Sequence, residues 1–222
     1  MTAAEQGTSK DPQGAHAGHA QDYVTPPFLV AAVGASAGGL EAFSSLLRDI
    51  PREAPLAVVL VQHMSRAQPS LLAEILGRRT TMQVSQATDG VEVEPGNVYV
   101  IPPDKHMTVI NGHLRLCPRP EGHWSLQVNA LFRSVAEYYR DKGVGVVLSG
   151  ALSDGADGLV AIRAVGGITI AQLPAEAQTE SMPRAAIATG DVDMVLAVQE
   201  IGKELLRLAA QPRFKRQPDD KK

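Results

Sequence analysis

Near the start of the chain, residues 28–39 read FLVAAVGASAGG. The run opens with six apolar residues, which is typical of a strand that is buried on both faces. It ends in small residues and glycines, and apolar residues then recur at helical spacing from Leu40 to Leu47. A buried strand followed by a tight turn and a helix predicts the first half of a parallel βαβ unit.

The same alternation continues along the chain. A second buried strand is predicted at Leu56–Val61, and a helix follows around Leu71–Leu76. Strand–helix alternation of this kind predicts an α/β fold, with a doubly wound, mostly parallel sheet and helices on both faces. The pattern resumes at Ala130 and predicts strands at Val144–Leu148, Ile168–Ala171 and Met194–Leu196, and helices at 130–140, at 155–165, after Pro183 and at 199–208.

The middle of the chain has a different pattern. Asn111-Gly112 separates two short apolar segments, and this dipeptide is a strong signal for a type I′ hairpin turn. We therefore expect a small antiparallel hairpin inserted into the parallel fold. The strand candidates of this region are Val91–Val93, Val98–Ile101, Met107–Ile110 and His113–Leu116.

Composition narrows the class of protein. The 222 residues are 44% hydrophobic with a net charge of −3, so a packed core is expected and no overall positive charge would attract nucleic acid or an anionic membrane. The single cysteine, Cys117, excludes an intrachain disulfide and a cysteine-based zinc site. No run approaches the about 18 apolar residues of a membrane span. These features predict a cytoplasmic globular protein without membrane insertion.

The ends of the chain differ from its centre in composition. Residues 1–26 are small and polar and predict a disordered leader, whereas residues 211–222 form a charged tail with two prolines. The folded domain is accordingly predicted at residues 27–210.

Three polar residues follow predicted strands. Ser36 comes after the first strand, His63 after the second, and Asp154 after Val144–Leu148. Carboxyl ends of parallel strands meet at one edge of a sheet, where ligands bind. A serine hydroxyl, an imidazole that takes its proton and a carboxylate that orients the imidazole form a nucleophilic triad. Ser36 also lies in a G-x-S-x-G frame, which presents a nucleophile on a sharp turn.

Other interpretations of these residues remain open. Ser36 could be only a helix N-cap or part of a phosphate-binding loop, and Gly34–Gly39 approaches a dinucleotide fingerprint. Against that, Gln62-His63 stands where a dinucleotide site has an acidic residue. Asp154 could simply cap a helix that begins near Gly155. His106 is interpreted as a surface or structural residue.

Several motifs in order resemble one family. The chain is similar to the catalytic domain of CheB-type chemotaxis protein-glutamate methylesterases from about Phe28 to Leu208, and it most resembles the version fused to methyltransferases in multidomain sensors. The motifs that carry the resemblance are Gly34–Gly39, Gln62-His63-Met64, the loop that contains Asp154, and the stretches VYVIPP (98–103), LFRS (131–134) and MPRAAI (182–187).

The resemblance implies a serine hydrolase that removes methyl esters from glutamate side chains of chemoreceptor-like signalling proteins and also deamidates certain glutamines. It assigns Ser36 as nucleophile, His63 as general base and acid, and Asp154 as the orienting carboxylate. It implies no metal or organic cofactor and no nucleic acid. The implied partners are a methylated chemoreceptor or sensor protein, together with a separate methyltransferase or sensor kinase. The alternative is a receptor-binding regulatory module with little or no turnover.

The chain departs from the family pattern at several positions. The family loop usually reads Thr-Gly-Met-Gly-x-Asp-Gly, and Leu152 stands here in place of the second glycine. If that position needs a positive φ, leucine would strain or reshape the loop and could displace Asp154. Asn129 and Leu173 stand where the family often has aspartate. Only 27 residues precede Phe28, so no phosphorylation-controlled receiver domain is expected there, and activity is expected to be constitutive or controlled by a partner.

Overall fold

The computed structural model describes residues 27–63, 70–119 and 126–211. Its strands form one seven-stranded sheet, in which every pairing is parallel, and one two-stranded antiparallel hairpin. The strands are β1 (Leu29–Ala35), β2 (Leu56–Gln62), β3 (Gln83–Gln86), β4 (Asn97–Val100), β5 (Lys105–Ile110), β6 (His113–Pro118), β7 (Gly143–Val147), β8 (Ile168–Gln172) and β9 (Met194–Leu196). The order in the main sheet is β3-β4-β2-β1-β7-β8-β9, and β5 pairs with β6.

Helices cover both faces of the sheet. They are α1 (Gly39–Leu47), α2 (Leu72–Gly77), α3 (Gln127–Tyr139), α4 (Ala156–Ala164), α5 (Ser181–Ala188) and α6 (Val198–Ala209). Helices α1, α2 and α6 pack with one buried apolar cluster, and α3, α4 and α5 pack with the other together with the hairpin. Alternate residues of β1 supply the two clusters: Leu29 and Ala31 face one, Val30 and Ala32 the other. The predicted doubly wound α/β fold with a hairpin insertion is confirmed.

The chain reverses its direction of travel across the sheet between β1 and β7. From β1 it moves to β2 and outward to β3 and β4, and after the hairpin it returns to the other side of β1 with β7. The carboxyl ends of β1 and β7 therefore lie side by side, with connections that leave in opposite directions. Such switch points are where open parallel sheets bind ligands.

The hairpin turn has the predicted geometry, because Asn111 and Gly112 have positive φ angles of 51° and 78°. The prediction of a strand at Val91–Val93 is wrong: this segment forms only one isolated bridge, between Glu92 and His113. Strand β3 was missed because three of its four residues are polar and exposed at the sheet edge, and the single valine, Val84, is too little to show an apolar pattern.

Helix α5 begins at Ser181 and not after Pro183. A proline is tolerated in a first helical turn because the N–H groups there have no carbonyl partner in the helix. Residues 1–26 and 212–222 lie outside the described residues, so the leader and most of the tail remain predictions. Within the described ranges, no helix is long and apolar enough to cross a membrane.

Candidate active site

Backbone hydrogen bonds join three strand ends at the switch point. The Ser36 amide, directly after β1, donates to the Ser149 carbonyl beyond β7 over 2.9 Å. The His63 amide, directly after β2, donates to the Ala35 carbonyl over 3.2 Å. The parallel pairing therefore continues one residue past the strands, and it holds Ser36 next to both neighbouring connections.

Asp154 lies at the centre of a buried hydrogen-bond group. Its Oδ2 atom lies 2.8 Å from His63 Nε2 and accepts a hydrogen bond from the Val128 amide over 2.9 Å, while its Oδ1 atom accepts from the Asn129 amide over 2.9 Å. The residue is only 4% exposed. Both oxygens are thus held by the first turn of α3, where the helix dipole and free amides favour a negative charge.

The interpretation of Asp154 as the cap of its own helix is wrong. The N-cap of α4 is Gly155, and no side chain caps that position locally. Asp154 instead caps α3, a helix that begins 27 residues earlier in the chain. This tertiary contact explains why the carboxylate faces His63 and not the helix that follows it.

Gly34 allows α3 to approach the sheet at this place. A Cβ atom at Gly34 would overlap the Val128 side chain. Any larger residue would push the first turn of α3 away from β1. The glycine that precedes Ala35-Ser36 therefore sets the position of the amides that bind Asp154.

Asn129, in the first turn of α3, binds the start of α4. Its Oδ1 atom accepts hydrogen bonds from the amides of Gly155, over 3.0 Å, and Gly158, over 2.7 Å. The side chain is buried, so these bonds satisfy amides at the start of α4 that water cannot reach. The two helices thus cap each other: Asp154 binds the start of α3, and Asn129 binds the start of α4. The sequence showed Asn129 only as a departure from the family pattern.

Ser36 lies on a tight turn that leads into α1. Gly38 has a φ of 80° and is the N-cap of α1, so the interpretation of Ser36 as that helix's N-cap is wrong. A Cβ atom at Gly38 would lie 2.7 Å from Gln178 Oε1 and 2.8 Å from Ser149 Oγ. Protein side chains therefore fill the side of the turn on which a Cβ at Gly38 would lie.

Ser149 fastens the Ser36 turn to two other segments. Its Oγ atom donates to the Ala37 carbonyl over 2.7 Å and accepts from the Thr179 amide over 2.9 Å. Its amide donates to Gln172 Oε1, at the end of β8, over 2.8 Å. Sequence reasoning noted Ser149 only as part of a motif, because nothing local indicates that a hydroxyl will bind a carbonyl 112 residues away.

The segment 150–154 spans the distance between Ser36 and His63. A Cβ atom at Gly150 would lie 2.9 Å from Ser36 Cβ, and Asp154 at the other end binds His63. Leu152, midway between them, has a φ of 68°, so the expected positive φ is confirmed. This backbone conformation costs a leucine about 1–2 kcal/mol. The expected displacement of Asp154 does not occur, since its bond to His63 is intact.

His106 lies closer to this site than the sequence suggested. It is half-buried on β5, and desolvation lowers its pKa, whereas the charge of Asp154 raises it and that of Arg119 lowers it. The neighbouring Lys105 carbonyl accepts a hydrogen bond from Gln127 Nε2, in the first turn of α3, over 2.8 Å. The hairpin is therefore fixed against the helix whose amides bind Asp154. On this hairpin, His106 lies close enough to the site for the charge of Asp154 to act on its pKa.

Comparison with known proteins connects this geometry with a family. Residues 31–205 match the CheB methylesterase family. The chain is 37% identical over 202 residues to protein-glutamate methylesterase/protein-glutamine glutaminase 1 of Xanthomonas euvesicatoria, which covers 89% of this chain and 56% of that relative. A relative in Leptospira interrogans is 33% identical over 184 residues, which covers 79% of this chain and 92% of the relative.

A solved structure shows the same fold. The CheB methylesterase catalytic domain of Thermotoga maritima superposes with a TM-score of 0.74 at 29% sequence identity. The match covers 82% of this chain and 98% of that domain. The chain thus corresponds to a whole catalytic domain, whereas it spans about half the length of the Xanthomonas relative.

Proposed function

The chain belongs to the CheB methylesterase family, and from that premise we propose that it hydrolyses γ-methyl esters of glutamate side chains in chemoreceptor-like signalling proteins. The observation that carries the proposal is the 2.8 Å contact between His63 Nε2 and Asp154 Oδ2 beside the Ser36 turn. A serine, a histidine and a buried carboxylate at one switch point are what acyl transfer through a serine ester requires.

The contact between His63 Nε2 and Asp154 determines which ring nitrogen of His63 can take the proton of Ser36. When Nε2–H of His63 donates to Asp154, the lone pair of the imidazole lies on Nδ1. Nδ1 is then the atom that takes the Ser36 proton as Oγ attacks the ester carbonyl. Asp154 stabilises the imidazolium that forms, and its two oxygens are kept in place by the α3 amides.

The tetrahedral intermediate needs hydrogen-bond donors for its oxyanion. The backbone amides that follow Ser36 on the turn into α1 are the proposed donors, because the start of a helix presents free N–H groups. Collapse of the intermediate breaks the bond to the methoxy group, and His63 gives its proton to methanol. Water then attacks the acyl-enzyme with His63 as base, which releases glutamate and regenerates the Ser36 hydroxyl.

The same steps hydrolyse a carboxamide. With a glutamine side chain as substrate, ammonia leaves in place of methanol, and the acyl-enzyme is identical. The name of the Xanthomonas relative includes protein-glutamine glutaminase. We therefore include deamidation of receptor glutamines in the proposed activity, and expect no metal or organic cofactor to take part.

The partners follow from the substrate. A methylated chemoreceptor or sensor protein supplies the ester, and a separate methyltransferase that forms it is an expected partner. A sensor kinase is a further expected partner. The proposed place of action is the cytoplasm, where the signalling domains of such receptors lie.

The test is methanol release from a methylated receptor signalling domain by the wild-type chain, by Ser36→Ala and by Ser85→Ala. Ser85 is an exposed serine on β3, far along the sheet from the switch point, and serves as a matched control. We expect Ser36→Ala to lower the rate by about 10³-fold or more with an unchanged melting temperature, and Ser85→Ala to leave it unchanged. Equal release by wild type and Ser36→Ala would overturn the assignment. Receptor binding without release by wild type would favour the regulatory module.

A further inference from the structure

Leu152 lies in the loop between β7 and α4, midway between the two residues that contact Ser36 and His63. Two residues before it, Gly150 packs against Ser36, and two residues after it, Asp154 binds His63. The chain cannot extend more than about 3.6 Å per residue, so Leu152 lies within about 7 Å of both neighbours along the backbone. A substrate that reaches Ser36 and His63 together must approach the segment in which Leu152 is the central residue.

Neither the core nor the turn explains a leucine at this position. The side chain is 59% exposed, so burial contributes little to folding. The φ of 68° favours glycine or asparagine and disfavours leucine. A residue that is strained and exposed next to a reactive group points to a role outside folding.

Other exposed leucines lie on neighbouring loops at the same edge. Leu126, which is 53% exposed, directly precedes α3, whose amides bind Asp154. Leu173, which is 37% exposed, follows Gln172, whose side chain binds Ser149. Exposed leucines therefore lie on three connections at this edge of the sheet, and Leu152 is the one nearest along the chain to a residue of the site.

We propose that Leu152 is a specificity-determining residue that contacts the side chain next to the esterified glutamate and selects substrates in which that side chain is apolar. The inference rests on the proposed esterase function and adds to it the chemistry of the preferred substrate. The occupant of this surface is the segment of the methylated protein that flanks the ester. The surface is continuous with the site at Ser36, so the two are filled in one binding event.

The test uses two synthetic peptides that carry a glutamate γ-methyl ester and differ only in the flanking residues, leucine in one and serine in the other. The small ester p-nitrophenyl acetate serves as a probe that has no flanking residue. We expect wild type to prefer the leucine-flanked peptide by about tenfold in kcat/KM, which is the range that one apolar contact provides. Leu152→Asn should reduce this preference to near one, and Leu152→Met should keep it.

Leu152→Ala separates the apolar contact from the backbone strain, because alanine keeps the strained conformation and loses most of the apolar surface; it should lose the preference as Leu152→Asn does. Asparagine relieves the strain and removes the apolar surface, whereas methionine keeps both. Val195→Thr, which alters an exposed apolar residue on the edge strand β9, is the control and should keep the wild-type preference. Hydrolysis of p-nitrophenyl acetate should stay within about twofold in Val195→Thr. For the Leu152 variants it gives the basal rate, and the preference is taken as the ratio of the two peptide kcat/KM values, in which a change of basal rate cancels.

Equal hydrolysis of the two peptides by wild type would overturn this inference and leave the proposed function standing. An unchanged preference in Leu152→Asn would do the same. No hydrolysis of either peptide by wild type, with the methylated receptor domain also unreacted, would overturn the proposed function and this inference together.

Discussion

The hairpin turn and the β7–α4 loop both contain a residue other than glycine with a positive φ, but for different reasons. In the hairpin, Asn111 with a φ of 51° is followed by Gly112, and asparagine tolerates this conformation. In the loop, Leu152 with a φ of 68° has no local feature that favours it. The hairpin turn takes its shape from its own sequence, whereas the loop is held by contacts with distant segments at Ser149 and Asp154.

The largest effect on activity is expected from a substitution at Asp154, one of the two residues that anchor the β7–α4 loop. Asp154→Asn removes the charge that stabilises the imidazolium, and an amide NH₂ cannot accept the hydrogen bonds that one carboxylate oxygen now accepts. We expect a loss of about 10³- to 10⁴-fold in kcat for methanol release. Asp89→Asn is the matched control beside the hairpin, where Asp89 Oδ1 accepts a hydrogen bond from the Leu116 amide. This variant should leave kcat within about twofold. The Asp89 carboxylate does not face the site, and an asparagine oxygen can accept the same hydrogen bond. Activity within tenfold of wild type for Asp154→Asn would contradict the proposed role.

The other anchor of the loop is Ser149. Ser149→Ala removes the hydrogen bond to the Ala37 carbonyl and the acceptor for the Thr179 amide, so the Ser36 turn loses a support. We expect kcat to fall by about 10- to 100-fold with little change in KM, because small displacements of a nucleophile have effects of this size. Ser149→Thr keeps the hydroxyl and should restore most of the activity. A threonine variant as poor as the alanine variant would show that side-chain volume, and not the hydroxyl, matters.

Asn129 stabilises the end of the β7–α4 loop through its hydrogen bonds to the start of α4. Asn129→Ala leaves the buried amides of Gly155 and Gly158 without an acceptor, so we expect the free energy of unfolding to fall by about 1–3 kcal/mol in urea titrations. Asn129→Asp keeps an oxygen that can accept both hydrogen bonds and should lose less than about 1 kcal/mol. If the aspartate variant is as unstable as the alanine variant, the capping bonds are not the source of stability.

The smallest effects compare the two positive-φ residues directly. Leu152→Gly relieves the strained conformation, and we expect the free energy of unfolding to rise by about 0.5–1 kcal/mol. Asn111→Leu places a leucine in the same conformation in the hairpin and should lower it by about 1 kcal/mol. Urea titrations of both variants decide the point, and effects of equal sign would remove the distinction between the turn and the loop.

The sequence predicted what depends on local pattern. Buried apolar runs predicted the central strands, and Asn111-Gly112 predicted the hairpin turn between β5 and β6. The same reasoning missed β3, because a four-residue edge strand with a single apolar residue, Val84, shows no apolar period. It placed a strand at Val91–Val93, which exchanges backbone hydrogen bonds with Gly112 and Leu114 of the hairpin but forms only one isolated bridge.

The site was predictable to a similar extent. Ser36, His63 and Asp154 were found because each follows a predicted strand, and parallel strands bring their carboxyl ends together. Their assigned catalytic roles remain proposals. The supports of the site were not found, since Ser149 and Asn129 act through hydrogen bonds to backbone atoms 112 and 26 residues away, respectively. No local pattern in a sequence specifies such a partner.

The separation of these partners along the chain has a consequence for biosynthesis. His63 and Asp154 are 91 residues apart, and the Ser149–Ala37 bond spans 112. The ribosome must therefore release β2, β3, β4 and the hairpin before β1 can meet its neighbour β7. Contacts between residues that are so far apart in the sequence form late and slowly during folding. A nascent chain that ends before Asp154 has its serine and its histidine but no carboxylate, so the hydrolase would stay inactive at least until β7 and the start of the following loop have been made.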